Sequence, residues 1–256
     1  MLETPGPAPL PRLPSRAADP LRGPVMMHQH WDELAFLHWA VDPALVAPFV
    51  PPGAEPDVLD GVTYVGLIPF TLRGAGIGRL PAVPWLGTFL ETNVRLYSRD
   101  AAGRRGVVFR SLDADRLAVV LGARAAFGLP YRFARMHRAR RGDEVGWATT
   151  RPVRSRVVVR ARPELVDDDG PDDVATFVTA RYGLHTAHAG RTWWIANEHE
   201  EWPLRRADVL DLDDELLAAA GFPGLASRPP DHVAFSDRVT TRFALPRPLP
   251  RPLHAR

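Results

Sequence analysis

The segment Phe89-Leu-Glu-Thr-Asn-Val-Arg-Leu-Tyr97 sets a carboxylate, an amide and a guanidinium at alternate positions. In an extended chain, Phe89, Glu91, Asn93, Arg95 and Tyr97 leave one face, and Leu90, Val94 and Leu96 the other. If that polar face meets water, the segment is an ordinary half-buried strand. If it lines an enclosed cavity, a carboxylate and a guanidinium there would orient a small ligand.

Other chemistries are excluded by residue type. The sequence has no lysine and no cysteine. A Schiff base, a thiolate, a disulfide, a P-loop and a pyridoxal phosphate anchor are all ruled out. No Gly-x-Ser-x-Gly elbow is present, so a lipase-type serine is not expected. Gly74-Ala-Gly-Ile-Gly lacks the full dinucleotide fingerprint and reads as a loop. No cofactor is called for.

No metal is expected either. His28-Gln-His30 and His185-Thr-Ala-His188 offer imidazole pairs, and Glu198-His-Glu-Glu adds carboxylates. None carries its partners at a known ligand spacing. Asp167-Asp-Asp-Gly-Pro-Asp-Asp lacks the spacing of a calcium loop and reads as a solvated turn.

Behind these residues stand 256 positions, 45% hydrophobic and 24% charged, enough for one large domain. All 32 basic residues are arginine against 30 acidic ones, leaving a net charge of +2. Arg138, Arg140 and Arg141 are followed at once by Asp143 and Glu144, so nucleic-acid binding is not expected. Neither a signal-peptide core nor a membrane-spanning run occurs, and a cytoplasmic location is expected.

Strands dominate the reading: Gly61 to Phe70, Phe89 to Tyr97, Gly106 to Leu112, Val153 to Ala161 and Thr192 to Asn197. Arg154, Arg156, Arg160 and Arg162 share parity and give the fourth of these one wet side. Helices are expected over Pro43 to Val50 behind an Asp42 cap, Val119 to Phe127, Asp172 to Tyr182 and Asp211 to Ala220. Residues 1–24 and 246–256, rich in proline and arginine, read as tails around one domain over 25–245.

A family pattern runs through this domain. Gln29-His-Trp-Asp-Glu-Leu-Ala-Phe-Leu-His-Trp39, Pro51-Pro-Gly, Asp60 to Phe70, Phe89 to Tyr97, Ser111-Leu-Asp113 and His199-Glu-Glu-Trp-Pro-Leu204 resemble the YqjF-like family, a bacterial family of unknown function. That family is similar in fold to acetoacetate decarboxylase. The resemblance implies a β-rich α+β fold: a curved, mostly antiparallel sheet closing into a barrel around a central cavity, with a few peripheral helices. Relatives of this fold assemble, so a homo-oligomer is part of what it implies.

Gly122-Ala-Arg-Ala-Ala-Phe-Gly-Leu-Pro-Tyr-Arg-Phe-Ala134 resembles the decarboxylase signature Gly-Arg-Glu-x-x-Gly-x-Pro-Lys-Lys. Aligned on Gly128 and Pro130, its paired lysines fall on Tyr131 and Arg132, and Glu91 resembles the family's active-site glutamate. A phenol and a permanently protonated guanidinium cannot form the imine, so decarboxylation by the family route is excluded. What remains is a pocket or a lyase-type acid/base enzyme for an anionic oxo-acid, hydroxy-acid or acyl ligand. Glu91 and Tyr131 are its catalytic candidates, and Asn93, Arg95, Arg124, Arg132 and Tyr64 its binding candidates. The alternatives on the same fold are a ligand-binding protein without catalysis and an interaction protein whose cavity is filled by its own side chains. His38-Trp39, Trp193-Trp194 and Trp202 read as packing residues, His199 as a satisfied buried histidine, and Arg110 and Asp113 as a local pair.

Overall fold

The chain's long strands are apolar on both faces, which requires a layer on either side of the sheet. In β1 (Val25–Val41), Leu34 and Phe36 belong to one buried cluster, while Ala35, Leu37 and Trp39 belong to another. The same alternation recurs in β3 (Thr63–Ile77) and β4 (Phe89–Asp100). A short α1 (Pro43–Val46) and β2 (Ala54–Pro56) lie between β1 and β3, with Asp42 accepting from the Ala44 amide at 2.8 Å as the expected cap. The computed structural model describes residues 12–170 and 172–250.

The chain continues through β5 (Arg105–Ala114), α2 (Leu117–Phe127), β6 (Tyr131–Phe133), β7 (Arg135–Arg141), β8 (Glu144–Thr150) and β9 (Arg154–Leu165). Then come α3 (Asp173–Thr179), β10 (Gly183–His188), β11 (Arg191–His199), β12 (Arg205–Asp214), α4 (Leu216–Ala219), β13 (His232–Ala244) and β14 (Arg247–Pro248). Strands β11, β10, β5, β4, β3, β1 and β13 are paired in that order, and β13 returns to β11, closing a barrel. All these pairings are antiparallel except β10 with β5. Strands β12, β9, β8 and β7 extend the sheet from β13. They cover the barrel's outer face: Val145, Trp147, Val157 and Val159 share a core with Leu37, Leu67, Val94 and Leu96. The barrel's inner face carries Leu34, Phe36, Ile68, Phe70 and Phe89. This is the curved, closed, mostly antiparallel β-rich architecture expected from the family resemblance.

Two sequence expectations are corrected. Asp211 to Ala220 is not one helix: β12 runs to Asp214 and only Leu216–Ala219 is helical. The acidic residues taken as a helix start are cross-strand partners of the β9 arginines. Asp211 meets Arg156 at 2.9 Å, and Asp213 meets Arg154 at 3.8 Å. Gly74 to Gly76 is not a loop, because β3 continues to Ile77 along β1. At Gly76 a Cβ would run into the His28 ring, so glycine there permits close approach of the two strands.

The segment from residue 12 to 24, read from sequence as tail, lies against the domain. Arg16 pairs with Asp167 and Glu201, and the Leu21 amide donates to Glu198 at 2.7 Å. Residues 1–11 and 251–256 of the two expected tails lie outside the described residues. Among the described residues, no helix is long and apolar enough to cross a membrane.

Candidate functional site

The site begins with the parity of β4. Glu91 sits opposite Phe70 of β3 and Ala114 of β5, so its side chain enters the barrel and is 3% exposed. Tyr131 arrives from the other side of β5. Helix α2 ends at Gly128 with φ of 64°, where a Cβ would strike His188. The chain then turns through Pro130 into β6, which lies parallel to β5 with Tyr131 beside Leu112. The Tyr131 hydroxyl donates to Glu91 Oε2 at 2.9 Å.

Burial raises the Glu91 carboxyl from 4.5 to about 7, against the hydrogen bonds from Tyr131 and Asn93, which favour the ionised form; Asp113 adds a small rise. The Tyr131 phenol is pushed well above 10 by burial and by the adjacent carboxylate. Near neutral pH, Tyr131 is therefore a fixed donor and Glu91 a group that exchanges its proton.

Both residues border a cavity of about 110 Å³ inside the barrel. Asn93 and Arg95 line it with Glu91, so the polar face of β4 does enclose a space. Arg95 donates from Nε to the Tyr97 hydroxyl at 2.9 Å and from Nη2 to the Val178 carbonyl at 3.0 Å. Its guanidinium lies 5.4 Å from the Phe36 ring centroid, and no carboxylate among the described residues pairs with it. The Tyr97 hydroxyl is held in turn by His38 Nε2 at 2.6 Å. Burial, with help from Arg95, holds the His38 imidazole well below 6.5 and hence neutral.

The other sequence candidates are not brought to this cavity. Arg124 is exposed on α2 and reaches the Tyr131 carbonyl at 3.4 Å. Arg132, one residue past Tyr131, takes the opposite parity and is exposed. Tyr64 is buried against His38 and Phe177, outside the cavity wall. Arg110 and Asp113 do not pair: Arg151 binds Asp113 at 2.8 Å, and Arg110 donates to the Ala220 carbonyl at 3.1 Å.

The cavity gains residues that sequence reasoning passed over. Arg181, two positions beyond the end of α3, lines it with no motif to announce it. Asn197 also lines it, together with His199, which the sequence reads as a buried histidine; the signal for Asn197 was available, since Ile195, Asn197 and His199 share a parity in β11. Trp202, read as a packing residue, stacks on Trp31 at 5.8 Å and forms part of the same wall.

A second constellation has the residue types of a catalytic triad. Ser98 Oγ lies 2.9 Å from His185 Nδ1, and His185 Nε2 lies 3.3 Å from Asp100 Oδ2. Ser98 and His185 are 0% and 1% exposed and do not border the barrel cavity, while Asp100 is also bound by Arg104. The network ties β4 to β10. The paired histidines of the sequence are likewise occupied singly, His28 with the Gly78 carbonyl at 3.2 Å and His30 with Thr240 at 3.0 Å.

Known proteins can be compared with this geometry. The model of DUF2071, an uncharacterized conserved protein family, matches residues 28–240. The uncharacterized protein YqjF of Bacillus subtilis (strain 168) is 32% identical over 187 residues, covering 72% of this chain and 77% of YqjF. Among solved structures, an acetoacetate decarboxylase-like enzyme from Sphingomonas wittichii RW1 superposes with a TM-score of 0.62 at 13% identity, over 89% of this chain and 94% of its own. The enduracididine biosynthesis enzyme MppR complexed with pyruvate gives 0.60 at 16% identity, over 90% and 92%. At such identities these two establish the fold alone. The chain belongs to the DUF2071 family, with a barrel like that of the acetoacetate decarboxylase-like proteins.

Proposed function

We propose that the barrel cavity is a small-molecule site at which Glu91 exchanges a proton with a compact anionic oxo-acid, hydroxy-acid or acyl ligand. The observation that carries this reading is the 2.9 Å bond from Tyr131 to a Glu91 carboxyl that burial raises to about 7. A carboxyl near neutrality can both take and return a proton, which is what acid/base chemistry asks of a single group. Tyr131, too weak an acid to ionise, serves as a hydrogen-bond donor to the carboxylate or to an oxygen of the ligand. Arg95, bonded to a phenol and a carbonyl, carries a positive charge that a ligand carboxylate complements.

Size narrows the ligand. An apolar void of about 150 Å³ accommodates benzene. A cavity of about 110 Å³ therefore suits a molecule no larger than benzene. Pyruvate, found with the structurally similar MppR, is of that size. No imine contributes here, because the chain has no lysine.

The test is a thermal-shift screen of wild type and Glu91→Gln against 2-oxo, 3-oxo and hydroxy acids and acyl esters, followed by turnover assays on whatever binds. A ligand at about 100 times its Kd stabilises by about 2.7 kcal/mol. The reading expects one class to stabilise wild type, the substitution to weaken that shift, and the ligand to be converted. A ligand that binds unchanged identifies a carrier or sensor on this fold. A screen with no binder would falsify the small-molecule reading.

A further inference from the structure

Helix α2 departs from the pattern of a surface helix. Val119, Val120 and Phe127 turn toward the domain, while the opposite side, with Leu117, Ala118, Leu121, Gly122 and Ala125, is exposed. A surface helix ordinarily carries its charged and polar residues there, and this one carries Arg124 alone. The loop between β3 and β4, residues 78–88, continues the same face. Its Trp85 is 72% exposed, although a φ of 59° is a left-handed backbone that bulky residues seldom adopt. The Trp85 ring lies 4.9 Å from the Arg116 guanidinium at the start of α2. Leu80 and Val83 of the loop are exposed as well, and so is Phe133, which pairs with Ala114 three positions before Leu117.

Charge and hydrogen-bonding capacity say what covers this face. Residues 78–88 and 115–133 contain Arg79, Arg116, Arg124 and Arg132 against Asp115, a net charge of +3 where the whole chain carries +2. Of these arginines only Arg116 has a carboxylate partner among the described residues, Asp115 at 3.0 Å. Arg154, Arg156 and Arg160 of β9, by contrast, each have one. Along 78–87 and 117–127 no side chain can accept a hydrogen bond, and the donors are Arg79, Arg124 and the Trp85 indole. A protein interface of ordinary size carries about ten direct hydrogen bonds, drawn from donors and acceptors on both sides. A second copy docking through the same face would also set arginine against arginine. An anionic bilayer asks for neither acceptors nor acidic groups. It takes apolar side chains into the headgroup boundary and draws cations to its surface.

We infer that α2 and the 78–88 loop dock the protein on an anionic lipid surface. Trp85, Leu117 and Leu121 enter the headgroup region, and Arg79, Arg124 and Arg132 meet the lipid anions. Asp115 does not oppose this approach, because Arg116 and the Leu90 amide, at 3.1 Å, already hold its carboxylate. The docking face is separate from the Glu91 chemistry and does not depend on it.

The experiment is co-sedimentation of the full chain with vesicles of phosphatidylcholine alone and with about one third phosphatidylserine, alongside velocity sedimentation without lipid. Wild type should partition at least about tenfold more strongly onto the anionic vesicles. It should lose that preference in about 1 M salt, where the screening length falls to about 3 Å. Trp85→Ser/Leu121→Ser keeps the charge and alters only exposed side chains, so it should melt like wild type yet partition at least about tenfold more weakly. Arg124→Glu/Arg132→Glu should remove the preference for phosphatidylserine. Absence of partitioning, equal partitioning onto the two lipids, or partitioning that survives the serine pair overturns the assignment. Self-association of wild type that the serine pair abolishes gives the face to a second copy and overturns it too.

Discussion

Tyr131 and Glu91, forty positions apart in the chain, meet inside the barrel with the phenol donating to Glu91 Oε2 at 2.9 Å. The contact depends on two unrelated local devices. Strand parity on β4 turns Glu91 inward, and the left-handed Gly128 at the end of α2 lets the chain return along β5 with Tyr131 facing the same space. The consequences for stability and protonation can be measured.

Glu91→Gln should stabilise the protein at alkaline pH. The folded-state carboxyl lies near 7 against 4.5 for an ordinary glutamate, so folding favours the protonated form. Wild type is therefore unpenalised below about 4.5 and loses stability as pH rises to about 7, by up to about 3 kcal/mol. The variant lacks this loss. Urea melts at pH 5 and pH 8 should show near-equal stability at the lower pH and a more stable variant at the higher. A constant difference across that range contradicts the burial of an ionisable Glu91.

Tyr131→Phe should move the Glu91 titration upward, because the lost hydrogen bond favours the ionised carboxylate. In the same stability profile, the pH at which wild type stops losing stability should rise. Loss of the bond should also cost about 1–2 kcal/mol above neutrality. An unchanged profile means that the two groups do not meet in solution.

The Asp57–Arg181 pair should be among the protein's most sensitive positions. Both side chains are buried, at 0% and 2% exposure, and Asp57→Ala leaves a guanidinium without its counter-charge. Denaturant melts should show a loss of about 3–5 kcal/mol. Arg16→Ala breaks pairs whose arginine is 46% exposed and should cost less than about 1 kcal/mol in the same assay. Equal effects of the two substitutions would contradict the difference in burial.

Gly183→Ala should destabilise through overpacking. A Cβ there would run into the Trp194 indole and lie 2.9 Å from the Ile195 carbonyl, so β10 and β11 would have to separate. The expected loss is about 1–3 kcal/mol by thermal or chemical melts, with partial recovery in Gly183→Ala/Trp194→Leu. A neutral single substitution would mean that this strand pair is looser than described.

Strand patterning made the framework legible where one residue's environment decided its neighbours'. Val157 and Val159 against Arg154, Arg156 and Arg160 announced a strand with one wet face, and β9 has that form. Asp211 to Ala220 misled because acidic residues before an apolar run suit both a helix start and a cross-strand ladder of ion pairs. Only the partner strand, with its arginines, decides between them. Glu91, Asn93 and Arg95 were found by period-two alternation and do border the cavity. Arg181 was invisible because its place is set by tertiary contacts with Asp57 and Phe177, which are 124 and 4 positions away and form no motif. Arg132 is a candidate because the second lysine of the decarboxylase signature falls on it, and its adjacency to Tyr131 sends it to the other face.

The measurement that tests the central claim most directly is deuterium incorporation from heavy water into the carbon next to the carbonyl or carboxylate of short oxo and hydroxy acids, followed by NMR near pH 7. If Glu91 is the proton-exchanging group of a ligand cavity, wild type will accelerate exchange for at least one of these acids and Glu91→Gln will abolish the acceleration. If an acid binds in the cavity and wild type exchanges its protons no faster than buffer does, the acid/base role of Glu91 is contradicted.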